Sequence, residues 1–267
     1  MNHNFMAVVP ARLSSSRLPR KVLADIGGVP MVLHCAQRAL DSGAEEVIVA
    51  TDHEEVYDVA RRAGWTVVMT AAHHATGTDR LAEVVAQRGW DDETLVVNVQ
   101  GDEPLLDPLT IRAVVQRLQE RPHCALATAC YAITSRFHLE QRQVVKVVLD
   151  QQDEALYFSR SPITWARDAW SSEANSEWPT ELPAWHHVGL YAYRAGFLRK
   201  FSGWPSVPLE RYEALEQLRA LWYGARIAVV RLDGPPAAGV DTQEDLERVR
   251  GLWPTFAQAP STRMMQG

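Results

Sequence analysis

Short runs of apolar residues recur along the first half of the chain, and amphipathic stretches separate them. The apolar runs span 5–9, 47–50, 67–69 and 95–97, and the amphipathic stretches span 31–40, 54–63, 81–88 and 111–118. Runs that are apolar at every position are typical of strands buried on both faces, as in a parallel sheet covered by helices. The alternation from residue 5 to about 121 therefore predicts an open, doubly wound α/β sheet.

The second half of the chain has a different pattern. It predicts strands at 125–133, 144–149, 155–158, 187–193 and 227–230, and helices at 209–222 and 242–249. The gap at 150–153 is only long enough for a turn, so we expect the strands on either side to form a hairpin. Mixed or antiparallel strands thus extend the parallel part of the sheet. The long polar stretch at 161–185 carries four tryptophans, which we assign to packing or to dimer contacts.

Composition and charge narrow the class of protein. The 267 residues are 46% hydrophobic and 22% charged with a net charge of −6, which argues for a globular protein and against a nucleic-acid binder. An odd count of three cysteines without a C-x-x-C pair favours reduced thiols. No apolar run approaches the roughly 20 residues of a membrane helix, and the first residues lack a signal-peptide pattern. We therefore expect a cytoplasmic protein that binds neither nucleic acid nor a membrane.

A cationic segment rich in hydroxyl groups follows the first predicted strand. Arg12, Arg17, Arg20 and Lys21 lie within ten residues of one another, together with three serines. Ligands of open α/β sheets bind beyond the carboxyl ends of the strands, and guanidinium and ammonium groups there suit phosphate oxygens. The segment predicts a triphosphate-binding loop, with a solvated surface loop as the alternative. Neither the P-loop motif nor the dinucleotide motif G-x-G-x-x-G occurs, which disfavours those two classes.

Two aspartates far apart in sequence are candidates for a shared metal site. Asp102 follows Gly101 just beyond the predicted strand at 95–97, and Asp241 precedes the predicted helix at 242–249. Magnesium prefers one or two protein carboxylates together with substrate phosphates. The alternatives are a simple turn at Asp102 and a helix cap at Asp241 or Thr242.

The segment 76–80 is a further candidate for ligand binding. Thr78 is a plausible N-cap of the next helix, while Arg80 and exposed backbone N–H groups there suit a nucleobase edge or a phosphate.

Eight segments, taken together and in order, carry a resemblance to a known family. They are PARxxSxRLPxK at 10–21, ATDH at 50–53, GTDRLAEV at 77–84, NVQGDEP at 98–104, VKVVLD at 145–150, ALYFSR at 155–160, LEQLRxLWYG at 215–224 and GVDTxEDL at 239–246. The ordered set resembles the 3-deoxy-manno-octulosonate (KDO) cytidylyltransferase family over residues 5 to about 253. We accordingly expect a single nucleotidyltransferase domain over 1–253 and a flexible tail over 254–267.

The resemblance implies a fold and a reaction. The fold is a Rossmann-like α/β nucleotidyltransferase fold, with a mixed, mostly parallel sheet flanked by helices. An extra antiparallel segment within about 124–195 would serve dimerisation, usually in a homodimer. The reaction transfers CMP from CTP to the anomeric 2-hydroxyl of KDO, giving CMP-KDO and pyrophosphate for lipopolysaccharide biosynthesis.

The resemblance also implies site residues. CTP binding maps to Ala11, Arg12, Ser15, Arg17, Lys21, Thr76, Gly77, Arg80 and Asp102. The catalytic set maps to Arg17, Lys21, Asp102 and Asp241, with Mg²⁺ held by the two aspartates as the cofactor. Sugar binding maps to Gln100, Arg160, His187, Tyr191, Glu216 and Gln217, and Arg160 is the expected clamp for the sugar carboxylate. His187 and Tyr191 would share one face of their strand, since side chains alternate with a period of two.

The chain departs from the family pattern at three places. Arg20 stands where glycine is usual, Thr76 where serine is usual, and Gln141–Gln143 where N-P-N is usual. We expect Arg20 to tighten or distort the phosphate loop.

Three alternatives remain open at this point. The same chemistry on 8-amino-KDO or sialic acid would differ only in the lining of the sugar pocket. An NAD-dependent Rossmann oxidoreductase would need a glycine fingerprint where Pro10–Arg12 stands. A nucleotide-binding regulator without catalysis would not need both aspartates.

Overall fold

The computed structural model describes residues 4–15, 17–74, 76–171 and 177–258. The strands are β1 (Met6–Pro10), β2 (Asp25–Ile26), β3 (Val29–Pro30), β4 (Glu46–Thr51), β5 (Thr66–Met69), β6 (Leu95–Asn98), β7 (Leu126–Ala132), β8 (Lys146–Leu149), β9 (Ala155–Ser159), β10 (Trp185–Arg194) and β11 (Ile227–Leu232). The helices are α1 (Met31–Asp41), α2 (Glu54–Arg62), α3 (Gly77–Arg88), α4 (Pro108–Glu120), α5 (Arg136–Glu140), α6 (Ala195–Ser202), α7 (Pro208–Glu213), α8 (Gln217–Trp222) and α9 (Gln243–Gln258). A short 3₁₀ helix spans Lys21–Leu23.

The main sheet has the strand order β11-β7-β10-β6-β1-β4-β5. All of these strands run parallel except β10, which is antiparallel to both β6 and β7. The β8–β9 hairpin joins the sheet through antiparallel pairing of β8 with β10, and β2 with β3 forms a separate small ribbon. The expected mixed sheet with an added antiparallel segment is therefore confirmed.

Strand β1 shows why its sequence is apolar at successive positions. Ala7 and Val9 pack in the core that contains α1 and α4, whereas Val8 faces the core that contains α3. All three side chains are fully buried. A strand covered on both faces has no solvent side, so polar alternation is absent. The apolar runs near residues 47 and 95 form β4 and β6 for the same reason, whereas the run near 67 forms the edge strand β5, of which only Val68 is buried.

Several predicted boundaries were wrong. The helix predicted over 209–222 is two helices, α7 and α8, because Ala214 adopts a left-handed conformation with φ 50° and ends the first of them. Helix α3 begins at Gly77, with Thr76 rather than Thr78 as its N-cap. Helix α9 continues through Pro254 to Gln258, so the first part of the expected tail is helical; residues 259–267 lie outside the described residues.

The sequence patterns did not reveal three short elements, namely the β2–β3 ribbon, α5 and α6. Each is too short for hydrophobic periodicity to register clearly. In the described part of the chain, no helix has both the length and the apolar character to cross a membrane.

Candidate active site

The parallel pairing of β1 with β6 brings two predicted loops together. Both strands end at the same edge of the sheet, so the cationic loop after β1 lies beside the loop that carries Asp102. A Cβ added to Gly101 would lie 2.7 Å from the carbonyl oxygen of Pro10. Glycine is therefore needed here for the close approach of the two backbones.

A third loop, between β11 and α9, reaches the same point. The backbone N–H of Val240 donates to the carbonyl oxygen of Asp102 at 2.8 Å. Thr242 and Asp245 stabilise the start of α9 by reciprocal hydrogen bonds. The Thr242 hydroxyl accepts from the Asp245 N–H at 3.2 Å. The Asp245 carboxylate in turn accepts from the backbone N–H groups of Asp241 and Thr242. The expected cap is thus present, and it orients Asp241 instead of replacing its role in the site.

Lys21 lies between the two predicted aspartates. Its Nζ donates to Asp102 Oδ2 at 2.6 Å and to Asp241 Oδ1 at 3.0 Å. Arg17 adds an ion pair to Asp241 at 3.1 Å. Burial lowers the pKa of Lys21, but the hydrogen bonds and charges of the two carboxylates outweigh this, and the net pKa is raised. Both carboxylates therefore converge on one cation position.

Glu103 adds a carboxyl group that sequence reasoning missed. Burial, and next the negative charges of Asp102 and Asp241, raise the pKa of Glu103 to about 7. Its Oε2 is buried and finds no hydrogen-bond partner among the described residues. The negative potential that resists ionisation of Glu103 also favours a divalent cation at the neighbouring aspartates. The donor set, two carboxylates at one point, fits Mg²⁺.

A cavity of about 390 Å³ opens in front of this group. It is lined by Pro10, Arg12, Ser14, Ser15, Arg17, Lys21, Val22, Gly77, Arg80, Gln100, Gly101, Asp102 and Asp241. Most of the residues expected to bind CTP are thus brought together. Two of the expected residues do not line the cavity. Ala11 is buried, and its N–H donates to the carbonyl oxygen of Ala50. Thr76 directly precedes the lining residue Gly77 in the sequence. The volume lies within the range of about 300–1,000 Å³ usual for small-molecule sites.

Arg80 is fixed at one wall of the cavity. Its side chain is only 1% exposed, and its guanidinium donates to Asp52 Oδ2 at 2.8 Å and to the hydroxyl of Thr70. Asp52 follows β4 and Thr70 follows β5, so neighbouring parallel strands supply both partners. Sequence reasoning did not assign a role to Asp52, although it lies in the quoted ATDH segment.

A second cavity lies on the other side of the first turn of α3. Its volume is about 80 Å³, and it is lined by Thr78, Leu126, Tyr191, Tyr193, Phe197, Phe201, Glu216, Gln217 and Ala220. Glu216 accepts hydrogen bonds from Thr76 at 2.8 Å and from Thr78 at 2.9 Å. Burial raises the pKa of Glu216, and these hydroxyl donors oppose the rise. Three residues expected to bind the sugar, Tyr191, Glu216 and Gln217, therefore share one cavity.

His187 lies beside this cavity without lining it. Its ring is 5.4 Å from the Tyr191 ring, so the two side chains share a face of β10 as expected. Its Nε2 is 3.0 Å from the Thr128 hydroxyl, and its ring packs edge-on against Phe158. Burial, and next the charge of His186, lower the pKa of His187 to about 3. The imidazole is therefore neutral at physiological pH.

Two other predicted sugar residues are placed apart from this group. Gln100 lines the first cavity. Arg160 lines neither cavity; its guanidinium donates to the carbonyl oxygens of Glu213, Arg142 and Ala214, at 2.6, 3.2 and 3.4 Å. Two of these carbonyls, those of Glu213 and Ala214, lie where α7 ends, and the turn that follows leads directly to Glu216.

The departure at Arg20 has a clear local consequence. Arg20 adopts a left-handed conformation with φ 59° and ψ 26°, which explains why glycine suits this position. Its side chain pairs with Glu55 at the start of α2. The backbone thus enters Lys21 through a left-handed residue, a conformation that is sterically less favourable for arginine than for glycine.

An α/β sheet with a cationic loop after its first strand, and with paired aspartates beside that loop, suits an enzyme that binds a nucleoside triphosphate with a divalent cation. A family model described as Cytidylyltransferase matches residues 6–227. The chain belongs to the cytidylyltransferase family and is a nucleotidyltransferase enzyme. The oxidoreductase and regulator alternatives do not agree with this assignment.

Two solved structures are similar to this chain. A structure of CMP:2-keto-3-deoxy-manno-octonic acid synthetase complexed with CTP is 38% identical, with a TM-score of 0.84 over 94% of this chain and 98% of that one. The resemblance to the KDO cytidylyltransferases is thereby confirmed. A cytidylyltransferase from Leptospira borgpetersenii serovar Hardjo-bovis (strain JB197) is 16% identical, with a TM-score of 0.60 over 94% and 86% of the two chains. This second likeness supports the fold alone.

Proposed function

We propose that the protein transfers CMP from CTP to the anomeric 2-hydroxyl of KDO, giving CMP-KDO and pyrophosphate for lipopolysaccharide biosynthesis. The observation that carries the proposal is the position of Asp102, Asp241 and Lys21 at the mouth of a cavity lined by arginines and serines. The similar synthetase structure with CTP bound supports it.

The nucleotide would occupy the first cavity. Arg12, Ser15, Arg17 and Lys21 face it with cationic and hydroxyl groups that suit the triphosphate. Arg80 and the backbone of Gly77 form the wall that we assign to cytosine. Lys21 and Arg17 would neutralise the charge of the departing pyrophosphate.

Asp102 and Asp241 are the residues that would hold Mg²⁺. A bound Mg²⁺ ion supplies charge neutralisation at the phosphate and lowers the pKa of a nearby hydroxyl. The protein's own contribution is to hold both carboxylates at one position through the Val240–Asp102 hydrogen bond and the cap of α9.

The sugar acid would extend from the first cavity into the second. At about 80 Å³ the second cavity is too small to hold an eight-carbon sugar acid alone, since ligand sites usually exceed about 300 Å³. Its wall offers polar atoms for a ligand, including the buried Nε2 of Gln217, which has no partner among the described residues. The role of Arg160 as a clamp for the sugar carboxylate stays a prediction. In the structure, its guanidinium donates hydrogen bonds to backbone carbonyl oxygens.

We also propose a homodimer built on the segment 124–195, in the cytoplasm. Phe137, Leu156 and Trp165 of this segment are exposed, and large apolar side chains at a surface suit a subunit interface. The cysteines are free and buried, as is usual in a reducing compartment.

The test is the release of pyrophosphate from CTP and Mg²⁺ with KDO, 8-amino-KDO or sialic acid as the acceptor. We expect the highest kcat/KM with KDO and a product with the mass of CMP-KDO. Turnover with sialic acid alone would refute the proposed acceptor while leaving the cytidylyltransferase class intact. Light scattering of the purified protein tests the dimer independently.

A further inference from the structure

We propose that His123, Cys124 and Glu154 form a second metal site, selective for zinc-like ions and separate from the nucleotide cavity. The ligand atoms of the three residues all lie within 4.8 Å of one another. His123 Nε2 is 2.6 Å from Glu154 Oε1, so these two are already in contact. Within the described residues, this is the only group of three or more histidine, cysteine or acidic side chains that converges in this way.

The site lies at the end of the sheet opposite to the active site. His123 and Cys124 directly precede β7, whereas the nucleotide cavity lies beyond the carboxyl ends of β1 and β6. Strand β7 runs in the same direction as β1 and β6, so its start is at the opposite edge. None of the three residues lines either cavity, although Leu126 at the start of β7 lines the second one.

The backbone positions of the ligands are held independently of the cluster. The Cys124 N–H donates to Arg121 at 2.9 Å, and the Cys124 carbonyl accepts from Arg194 at 3.1 Å. Glu154 closes the turn of the β8–β9 hairpin, where its N–H donates to Asp150 Oδ1 at 2.9 Å, and it also bridges to Ala228. Preorganised ligands lower the entropy cost of binding an ion.

Arg226 provides an outer contact to one oxygen of Glu154, and a bound ion would replace the His123 hydrogen bond at the other oxygen. Its Nε donates to Glu154 Oε2 at 2.5 Å, while Oε1 faces His123. An ion bound through Oε1 would keep the Arg226 contact, and such outer hydrogen bonds fix the orientation of metal-binding carboxylates. Glu154 and Cys124 are buried, but His123 is largely exposed, which gives the ion an entry path and room for a water ligand.

The ligand types select the metal. Thiolate and imidazole favour zinc over magnesium, and one cysteine, one histidine and one carboxylate with water complete a tetrahedral set. The bound ion would join the end of α4 to the β8–β9 hairpin.

Cobalt(II) titration of the full-length protein, with excess Mg²⁺ to occupy oxygen-only sites, tests the proposal. We expect one equivalent of Co²⁺ to give a thiolate-to-cobalt charge-transfer band and the visible spectrum of a tetrahedral site, both removed by one equivalent of Zn²⁺. C124S should abolish the band, and H123Q and E154Q should weaken Co²⁺ binding at least about tenfold, because each removes a ligand. C35A, a change at a buried cysteine outside the cluster, should keep the band.

Thermal unfolding gives a second readout. One equivalent of Zn²⁺ should raise the Tm of the wild-type protein and of C35A but not that of C124S, since an ion that binds only the folded form stabilises it. Turnover of CTP should stay within about twofold of wild type in H123Q, because the cluster lies away from the active site. Absence of the charge-transfer band in the wild-type protein, or its persistence in C124S, would overturn the proposal.

Discussion

At the residue scale, the site depends on how charge is balanced around Lys21. The Lys21 side chain is 12% exposed and has two carboxylate partners, while Arg17 pairs with Asp241 from the more exposed side. The Arg17–Asp241 pair is exposed and contributes little to stability, and Lys21 keeps one carboxylate partner when the other is removed. Removing one carboxylate should therefore affect turnover more than it affects unfolding.

Asp102→Asn and Asp241→Asn test that expectation. Each substitution keeps the shape of the side chain but removes a charge from the proposed Mg²⁺ site, and we expect kcat to fall at least about 100-fold. CTP binding, measured by calorimetry without Mg²⁺, should persist because the arginines and serines of the cavity remain. Asp58→Asn is the matched control, since Asp58 forms an exposed ion pair with Arg62 on α2. Full turnover by Asp102→Asn would remove this residue from the proposed mechanism.

Asp52 is expected to act as a positioning residue through Arg80. Asp52→Asn weakens the charge-assisted contact that holds the guanidinium against the cavity wall. We expect the KM for CTP to rise about tenfold, which corresponds to about 1.4 kcal/mol, while kcat changes by less than about threefold. Steady-state kinetics with CTP and with UTP measures both constants. A loss confined to kcat would contradict a role in holding the base-binding wall.

Arg20 offers a comparison of glycine with alanine at a left-handed position. Both Arg20→Gly and Arg20→Ala remove the Glu55 ion pair, but only glycine adopts φ 59° without a steric cost. We expect Arg20→Gly to be more stable than Arg20→Ala by about 1 kcal/mol in urea unfolding. Equal stability of the two variants would indicate that the loop rearranges when the Glu55 contact is lost.

At the element scale, some predictions followed from local sequence and others did not. Asp102 and Lys21 could be predicted because each follows a strand with strong apolar character, and the ends of neighbouring parallel strands meet at one edge of a sheet. The break between α7 and α8 could not, because Ala214 is not a residue that usually takes a left-handed conformation. The pairing of Asp52 with Arg80 depends on the strand order, which a local pattern does not contain.

Helix α3 supplies a test at this scale, because its cap also contacts the second cavity. Thr76 accepts from the Asp79 N–H at 3.1 Å and donates to Glu216 at 2.8 Å. We expect Thr76→Ala to lower the free energy of unfolding by about 1 kcal/mol through loss of the cap, and to reduce kcat/KM for KDO. Thr76→Ser keeps the hydroxyl and should match the wild type in both measurements. A defect in Thr76→Ser would show that the methyl group matters instead.

At the scale of the whole molecule, the antiparallel strand β10 connects the second cavity to the added hairpin. Its carboxyl half pairs with β6 and presents Tyr191 and Tyr193 to the second cavity, while its first half pairs with β8. His187 lies between these halves, next to the register shift that follows Val188. A neutral, partly buried imidazole at this position couples the stability of the sheet to pH.

The direction of that coupling follows from the pKa of His187. Its folded pKa of about 3 lies below the unfolded value of about 6.5, so the unfolded chain binds a proton that the folded chain resists. Stability is therefore unaffected above about pH 6.5 and falls as the pH decreases toward about 3, by about 2–3 kcal/mol at pH 4.5. His187→Gln removes this contribution and should reduce the difference between urea unfolding at pH 7 and at pH 4.5 by about that amount, while His186, whose pKa burial lowers to about 4, keeps its own contribution. The exposed His73→Gln should leave the wild-type difference unchanged. Equal pH dependence in His187→Gln and the wild type would mean that His187 is already solvated or protonated in the native sheet.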